Sequence, residues 1–544
     1  MLGARGALLA AALAILAGAL GAFSIPPLDR DEGRYVQASS QMMETGDFVR
    51  IRFMDGPRNK KPAGIHWLQA AAVSVVSDVQ DRQIWAFRLP SMLGAGLAAF
   101  ACFMAGRAVL GAAPALAGSC LFGVCVLMGA EAGIAKTDAA LVAASTLMMA
   151  ALARLRFSGA GRWTGLGFWV ALAAGVLIKG PIAPLLAGLT VAALLVWERR
   201  TSWARPLLWW PGPVLFVLLV VPWFVAVELA GEGFLREAVG VDFAPKLVGA
   251  AEGHSGPPGY HLFALLFQAW PATLFLIPGA MLAWRAARSP RADESAAPYR
   301  FLLAWILPFW LVLELTPTKL SHYGLPAYPA LALLAGAGFA ALADGARMKR
   351  AEIASAVLFG LGAALWAALM IVAAWMFGDG FAQGAAVVFA ATTAALALFA
   401  VMRRRAASGL ALAVLAALVW HAGGRGLVAP RLEPLTLSSR IAALAPPEVR
   451  PLATTDYREP SLVFLVGGRI GFLAPEEMAD AARAGDFGAY AVPRALAPEV
   501  IAAIQDSGCA PRTLGEVSGI NYSNGDAVDL IVVAPVGSCS QSSS

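Results

Sequence analysis

Asp29-Arg30-Asp31-Glu32-Gly33-Arg34-Tyr35, then Glu44-Thr45-Gly46-Asp47, Asn59-Lys60-Lys61-Pro62 and Ile65-His66-Trp67-Leu68, stands between two apolar runs, 6–23 and 89–106. Charge is scarce elsewhere: 14% of the 544 residues are Asp, Glu, Lys or Arg, 59% are hydrophobic, and mean hydropathy is +0.68. A soluble domain carries roughly 25% charged residues, so this composition excludes an ordinary globular protein. A bilayer needs about 20 apolar residues per helix, and such runs recur to about Val428. We read thirteen spans: 6–23, 89–106, 112–130, 138–153, 163–179, 181–198, 209–228, 260–283, 300–317, 323–343, 353–376, 381–402 and 409–428. The fold class expected is mainly α, a polytopic membrane protein.

Loops rich in Lys and Arg resist translocation. With thirteen spans, Arg5, Arg107, Arg154/Arg156/Arg162, Arg199/Arg200/Arg205, Arg285/Arg288/Arg291, Arg347/Lys349/Arg350 and Arg403/Arg404/Arg405 share one side, which predicts a cytoplasmic N-terminus. A net charge of +6 and a pI near 9.2 therefore report topology, and no basic, aromatic-interleaved module speaks for nucleic-acid binding. The first loop, 24–88, is the basic exception on the outer side. Met1–Ala22 also fits a cleaved signal peptide loosely; either reading puts Asp31 outside the cytoplasm.

From Pro430-Arg431-Leu432-Glu433-Pro434 onward the composition is that of a soluble domain. Strand-like runs (Pro451–Thr455, Gly488–Val492, Val528–Ala534) alternate with helix-like ones (Glu476–Ala484, Pro498–Ser507), which predicts a small α/β periplasmic domain over 429–544 after a membrane domain over 1–428. Cys509 and Cys539 form an even pair suited to a disulfide outside the cytoplasm. In the first loop, Gly33–Thr45 and Pro62–Val76 read as amphipathic helices on the outer surface, with turns at Gly46-Asp47 and Asp55-Gly56-Pro57.

Asp31 and Glu32 follow an apolar span and a Pro26-Pro27 break, which places carboxylates at the mouth of the membrane domain. A carboxylate there suits removal of a proton from an attacking hydroxyl or amine; it equally suits capping of the helix that follows. Lys60-Lys61-Pro62 puts ammonium groups at a helix start, an arrangement that attracts phosphate or anchors to lipid headgroups. Lys136-Thr137-Asp138, Lys179-Gly180-Pro181, Glu252-Gly253-His254 with Pro257-Pro258, and Lys319-Leu320-Ser321-His322-Tyr323 all fall at outward ends of spans, so these polar loops converge on one face.

On these residues the chain resembles the GT-C class of membrane glycosyltransferases, in particular the aminoarabinose lipid A transferase-like group related to protein mannosyltransferases. Asp31-Glu32-Gly33-Arg34-Tyr35 is similar to that family's Asp-Glu-x-x-Tyr, Met43-Glu44-Thr45-Gly46-Asp47 to its next motif, and Lys61-Pro62 with His66-Trp67 to its Lys-Pro-Pro-x-x-x-Trp. Pro222-Trp223 and the later loops follow in order. In the tail, Tyr457-Arg458-Glu459-Pro460-Ser461-Leu462-Val463-Phe464 and Asn521-Tyr522-Ser523 are similar to pieces of its soluble domain.

The resemblance implies inverting transfer of a sugar from a polyprenyl-phosphate carrier to a lipid or glycan acceptor of the envelope. Asp31, Glu32 and Asp138 are then the catalytic carboxylates, with Asp31 foremost. Lys60, Lys61, Arg34, Tyr35, His254, Lys319, His322 and Tyr323 are the substrate-binding set, with Lys61 on the carrier phosphate. In the aminoarabinose enzymes an acidic residue precedes the motif lysine and binds a divalent metal with the later-loop histidine. Lys60 stands in that place here, which disfavours a divalent metal without excluding one, and no other cofactor is implied. A transporter or flippase of lipid-linked sugars is the competing class, but transporters commonly carry paired repeats around a midplane site, and none is present here.

Overall fold

The computed structural model of the chain describes residues 3–536 except 29, 201, 232, 244–254 and 404. It is a helical membrane bundle capped at one end by a small sheet domain. Among the described residues nine helices are long and apolar enough to cross a bilayer, and ten if Ala112–Gly123 and Val126–Ala132, bent by 58°, form one span. Each of the thirteen expected spans coincides with helix, and three fall short of that standard. Ile182–Glu198 is brief, Arg162–Lys179 begins and ends on a cation, and the eighth breaks into Tyr260–Gln268 and Thr273–Arg288 around Pro271.

Alanine and glycine set how closely the helices cross, since dispersion packing rather than hydrophobic burial joins helices in lipid. Where Ala112–Gly123 meets Tyr328–Ala343, a Cβ on Gly118 would stand 2.6 Å from the Ala332 carbonyl oxygen, and one on Gly336 2.1 Å from that of Pro114. Only glycine fits at this crossing.

Helix ends sort by chemistry as the charge pattern predicts. At one end, Arg156 donates to Glu198 at 2.8 Å and Glu294 at 3.2 Å, and Arg200 also pairs with Glu294. At the other end lie Asp138, Lys179 and His322.

The first loop folds onto that second end. Helices Arg30–Thr45 and Gly64–Val76 lie close to the expected ranges, the second starting at Gly64 rather than Pro62, with Ala63 in the capping position. Between them, strands β1 (Arg52–Phe53) and β2 (Gly56–Pro57) form a short hairpin. The Gly46-Asp47 motif is a scaffold: Gly46 has φ +70°, and the Asp47 carboxylate accepts from the Val49 and Arg50 amides, both at 3.0 Å. The Trp67 and Trp223 indoles donate to Phe48 O (2.8 Å) and Val49 O (3.2 Å), which fastens the same loop.

In the tail, β3 (Leu452–Thr454), β4 (Ile470–Phe472), β5 (Ala489–Pro493), β6 (Ala510–Ile520) and β7 (Ala527–Val536) form one sheet in the order β4-β3-β5-β7-β6. β3 pairs parallel with β4 and β5, while β7 runs antiparallel to β5 and β6. Helices Pro475–Ala484 and Ala497–Asp506 match the expectation; β4, β6 and the helices Glu433–Leu444 and Pro460–Leu465 are additions. Edge strand β6 mixes Arg512, Glu516 and a register shift between Thr513 and Gly515 into its alternation, which hides it from pattern reading. Cys539 lies outside the described residues, and with it the pairing expected with Cys509.

One buried ion pair ties the loop to the bundle. Arg88 and Glu32, both fully buried, meet through Arg88 Nε to Glu32 Oε1 and Nη2 to Oε2, each at 2.8 Å. Removing one partner strands the other charge at a cost of about 3–5 kcal/mol. Arg88→Ala is therefore expected to lower the yield of monodisperse protein and the melting temperature sharply, while the paired change Glu32→Gln with Arg88→Met loses less. Thermal unfolding followed by fluorescence-detected size exclusion checks this ordering.

Candidate active site

Lys60, Lys61, Asp138, Lys179, His322 and Tyr323 line a cavity of about 560 Å³. Its remaining walls are mostly apolar, from Leu141, Val176, Leu185, Phe216, Phe309 and Val312 among others. That combination of a polar cluster and greasy walls, in the size range of small-molecule sites, suits a ligand with a charged head and a hydrocarbon tail. The helix Pro211–Leu229, which supplies Phe216 and Phe224, exposes Val214, Val217 and Leu218 on its outer face, so one wall of the cavity is also a lipid-facing helix.

Asp138 opens its helix and is buried. Lys179 Nζ donates to its Oδ1 at 2.6 Å, His322 Nε2 lies 3.9 Å away, and the Lys179 ammonium sits 5.6 Å from the Tyr323 ring centroid. Three chain segments separated by about forty to one hundred and eighty positions thus meet at one carboxylate.

Asp31 sits beside this cluster on the first turn of Arg30–Thr45, half-exposed. Arg34 Nη1 is 3.6 Å and Arg58 Nη2 3.8 Å from its Oδ1, so two guanidinium groups flank one carboxylate. Tyr35 lies within electrostatic reach of both Asp31 and Asp138. It is buried, with its hydroxyl bonded to the Thr137 side chain; burial pushes its phenol up, Arg58 opposes that, and Asp31 and Asp138 add to it. Arg58 lies 4.7 Å over the Tyr35 ring, and its buried Nε has no hydrogen-bond partner among the described residues.

Two expected site residues are placed elsewhere. Glu32, expected among the catalytic carboxylates, accepts four hydrogen bonds: Leu28 N and Ala135 N at 2.6 Å, and Arg88 twice. Its lone pairs are spent inside the protein, and its geometry is that of a brace. Lys319, expected to bind substrate, donates to Leu313 O and Glu314 O, both at 2.7 Å, and so caps the C-terminal end of Ala297–Leu315. It is not among the residues lining the cavity. His254 lies outside the described residues.

Sequence reading passed over Arg58, whose only signal is its place two residues ahead of the lysine pair, and Arg88, which reads as an ordinary residue of an apolar helix. Lys179 was legible as a loop motif but not as the partner of Asp138. Among the described residues no group of three His, Cys, Asp or Glu is gathered, and Lys60 lines the cavity.

A model of the dolichyl-phosphate-mannose-protein mannosyltransferase family matches residues 60–225. Among curated proteins, the undecaprenyl phosphate-alpha-4-amino-4-deoxy-L-arabinose arabinosyl transferase 2 of Pseudomonas fluorescens is 28% identical over 328 residues, covering 59% of this chain and 56% of that protein. The corresponding transferase of Erwinia tasmaniensis is 28% identical over 356 residues, 63% and 61% of the two chains. The chain thus spans about six-tenths of the length of the curated relatives it matches. The crystal structure of ArnT from Cupriavidus metallidurans bound to undecaprenyl phosphate superposes with a TM-score of 0.75 at 19% identity over 99% of both chains. An oligosaccharyltransferase of Archaeoglobus fulgidus gives 0.51 at 10% identity, over 87% of this chain and 64% of that one.

The chain has the GT-C fold of membrane glycosyltransferases. That fold is shared with ArnT over almost the whole length of both chains.

His66 offers a test of the loop's packing. Its Nδ1 is 2.8 Å from Ser39 Oγ, which donates to Gln69 Oε1 at 2.6 Å, and Gln69 Nε2 donates to Ala135 O at 3.1 Å. Burial, reinforced by Arg58, pushes the imidazole down to about 3. The folded protein holds it neutral, whereas the unfolded chain takes up a proton below 6.5. Stability is thus full above that value and is lost progressively as pH falls from 6.5 toward 3. The melting temperature is expected to drop between pH 7 and pH 5, and His66→Gln to flatten that slope; an unchanged slope in the variant removes this account.

Proposed function

We propose that the chain is an inverting glycosyltransferase that moves a sugar from a polyprenyl-phosphate carrier to a lipid or other envelope acceptor. The observation that carries this reading is an apolar cavity beside a lipid-facing helix that is lined by three lysines and the Asp138 carboxylate, with Asp31, flanked by Arg34 and Arg58, next to that cluster. The arabinosyl transferases named above use a carrier of this kind, and the ArnT structure holds one, which supports the same assignment.

In the proposed step the acceptor attacks the anomeric carbon from the face opposite the carrier. The carbon–oxygen bond to the carrier phosphate breaks as the bond to the acceptor forms, and Asp31 takes the acceptor's proton. Negative charge gathers on the departing phosphate, and fixed cations there lower the barrier because they need not reorganise. Lys61 and Lys60 hold that phosphate, with Tyr323 in the same pocket. Asp138, kept in place by Lys179 and His322, contacts the sugar, and Glu32 acts only by holding the Asp31 helix.

The reading includes placement in a bacterial inner membrane, with the N-terminus in the cytoplasm and both the first loop and the domain from about residue 429 in the periplasm. Donor sugar and acceptor are left at class level, because fold similarity does not fix a substrate.

Asp31→Asn is expected to cut transfer by at least about 100-fold, a typical worth of a general base, while binding of undecaprenyl phosphate is retained. Lys61→Ala is expected to weaken that binding by about tenfold. Transfer is read by mass spectrometry as the sugar adduct on envelope lipids that disappears when the chain is deleted. Normal transfer by Asp31→Asn defeats the mechanism.

A further inference from the structure

We propose that the tail domain positions the catalytic helix: Glu459, joined to Asn521 within the tail and to Arg30 in the first loop, sets the placement of Asp31. The inference rests on the reading of Asp31 as the reacting carboxylate. It assigns a task to two tail motifs that the transfer step leaves unused.

Glu459 is only 7% exposed, and its Oε1 accepts from Asn521 Nδ2 at 3.0 Å. Asn521 is not free to turn away. Its Oδ1 accepts the Ser523 amide at 3.0 Å and its backbone N–H donates to Asp526 O at 2.8 Å, so the β6–β7 turn aims the amide nitrogen at Glu459. A buried carboxylate is costly unless a cation stands near, and the cation here is Arg30, with Nη2 3.6 Å from the same oxygen. Arg30 directly precedes Asp31.

The residues after Glu459 complete the dock. Helix Pro460–Leu465 lies on the face of Arg30–Thr45 marked by Gly33, where an added Cβ would be 2.5 Å from Ser461 N and 2.6 Å from Pro460 C. Phe464 is fully buried with Val36 and meets Phe87 edge to face at 5.4 Å. Behind it, Ser438 Oγ ties Tyr457 Oη (2.8 Å) to Ser461 Oγ (2.7 Å). The first turn of the catalytic helix is thereby clamped between the bundle, through Glu32 and Arg88, and the tail, through Arg30 and Gly33. A displacement of about 1 Å at a reacting group can cost about 100-fold in rate, so a clamp that never touches substrate still governs turnover.

The test uses the full-length protein. Arg30→Ala and Glu459→Ala are expected to lower the maximal transfer rate by about tenfold while undecaprenyl phosphate binding stays within about twofold, and amide exchange is expected to rise across Arg30–Thr45. Arg30→Lys is expected to restore both. Arg30 is half-exposed, so its variants keep the question answerable where Glu459→Ala fails to fold. Unchanged transfer and unchanged exchange in both alanine variants overturn the proposal; so does an equal loss of transfer and carrier binding that Arg30→Lys does not restore. Full transfer by Asp31→Asn would instead overturn the reading of Asp31, and the exchange measurement still judges the dock by itself.

Discussion

A guanidinium buried where a lipid-embedded bundle meets its outer loop governs this architecture. Arg88 donates to Glu32 and also to the carbonyls of Ala22, Ile25 and Pro26, at 2.6–2.9 Å. Glu32 in turn accepts the amides of Leu28 and Ala135. Five segments are held by two side chains: the end of the first helix, the Pro26-Pro27 break, the Asp31 helix, the second span and the approach to Asp138. Non-helical backbone at this depth must have its polar groups satisfied by protein, and this pair does so for the chain between the first span and the loop. An ion pair in such a place need not add net stability; it specifies one geometry.

The same economy runs through the motif residues. Gly46, Asp47, Trp67 and Trp223 shape the backbone of the loop that presents Asp31, Lys60 and Lys61, and the motif residue His66 is held beneath it by Ser39, itself bonded to Gln69. Fewer residues face the cavity than the run of motifs suggests. Most of the apparent signature specifies a rigid platform, as a site needs when its reacting groups come from separate segments.

How much of this was legible in the sequence depends on the range of the interaction. Spans are written locally, as twenty-residue apolar runs, and the sorting of arginines to one set of loops is local too, so the bundle and its two ends could be read directly. The convergence of Lys179, His322 and Tyr323 on Asp138 was legible as a shared face, because span parity carries that information. What escaped was pairing across distance. Glu32 looks like its neighbour Asp31 until Arg88, fifty-six positions on, is seen to claim it. Lys319 looks like a ligand until the carbonyls of its own preceding helix are seen to hold it. The eighth span reads as continuous, and its break around Pro271 emerges only with tertiary packing. β6 is an edge strand with charges on both faces, and edge strands resist pattern reading because their chemistry discourages further pairing.

The lysine pair at the cavity also weights the two ends of a catalytic cycle unequally. A loaded carrier is a phosphodiester with one negative charge; a spent carrier is a phosphomonoester that carries closer to two near neutral pH. Lys60 and Lys61 therefore attract the spent lipid more strongly than the loaded one, Lys179 being paired with Asp138. In the transfer proposed above, fresh donor therefore has to compete with its own leftover for the same cations.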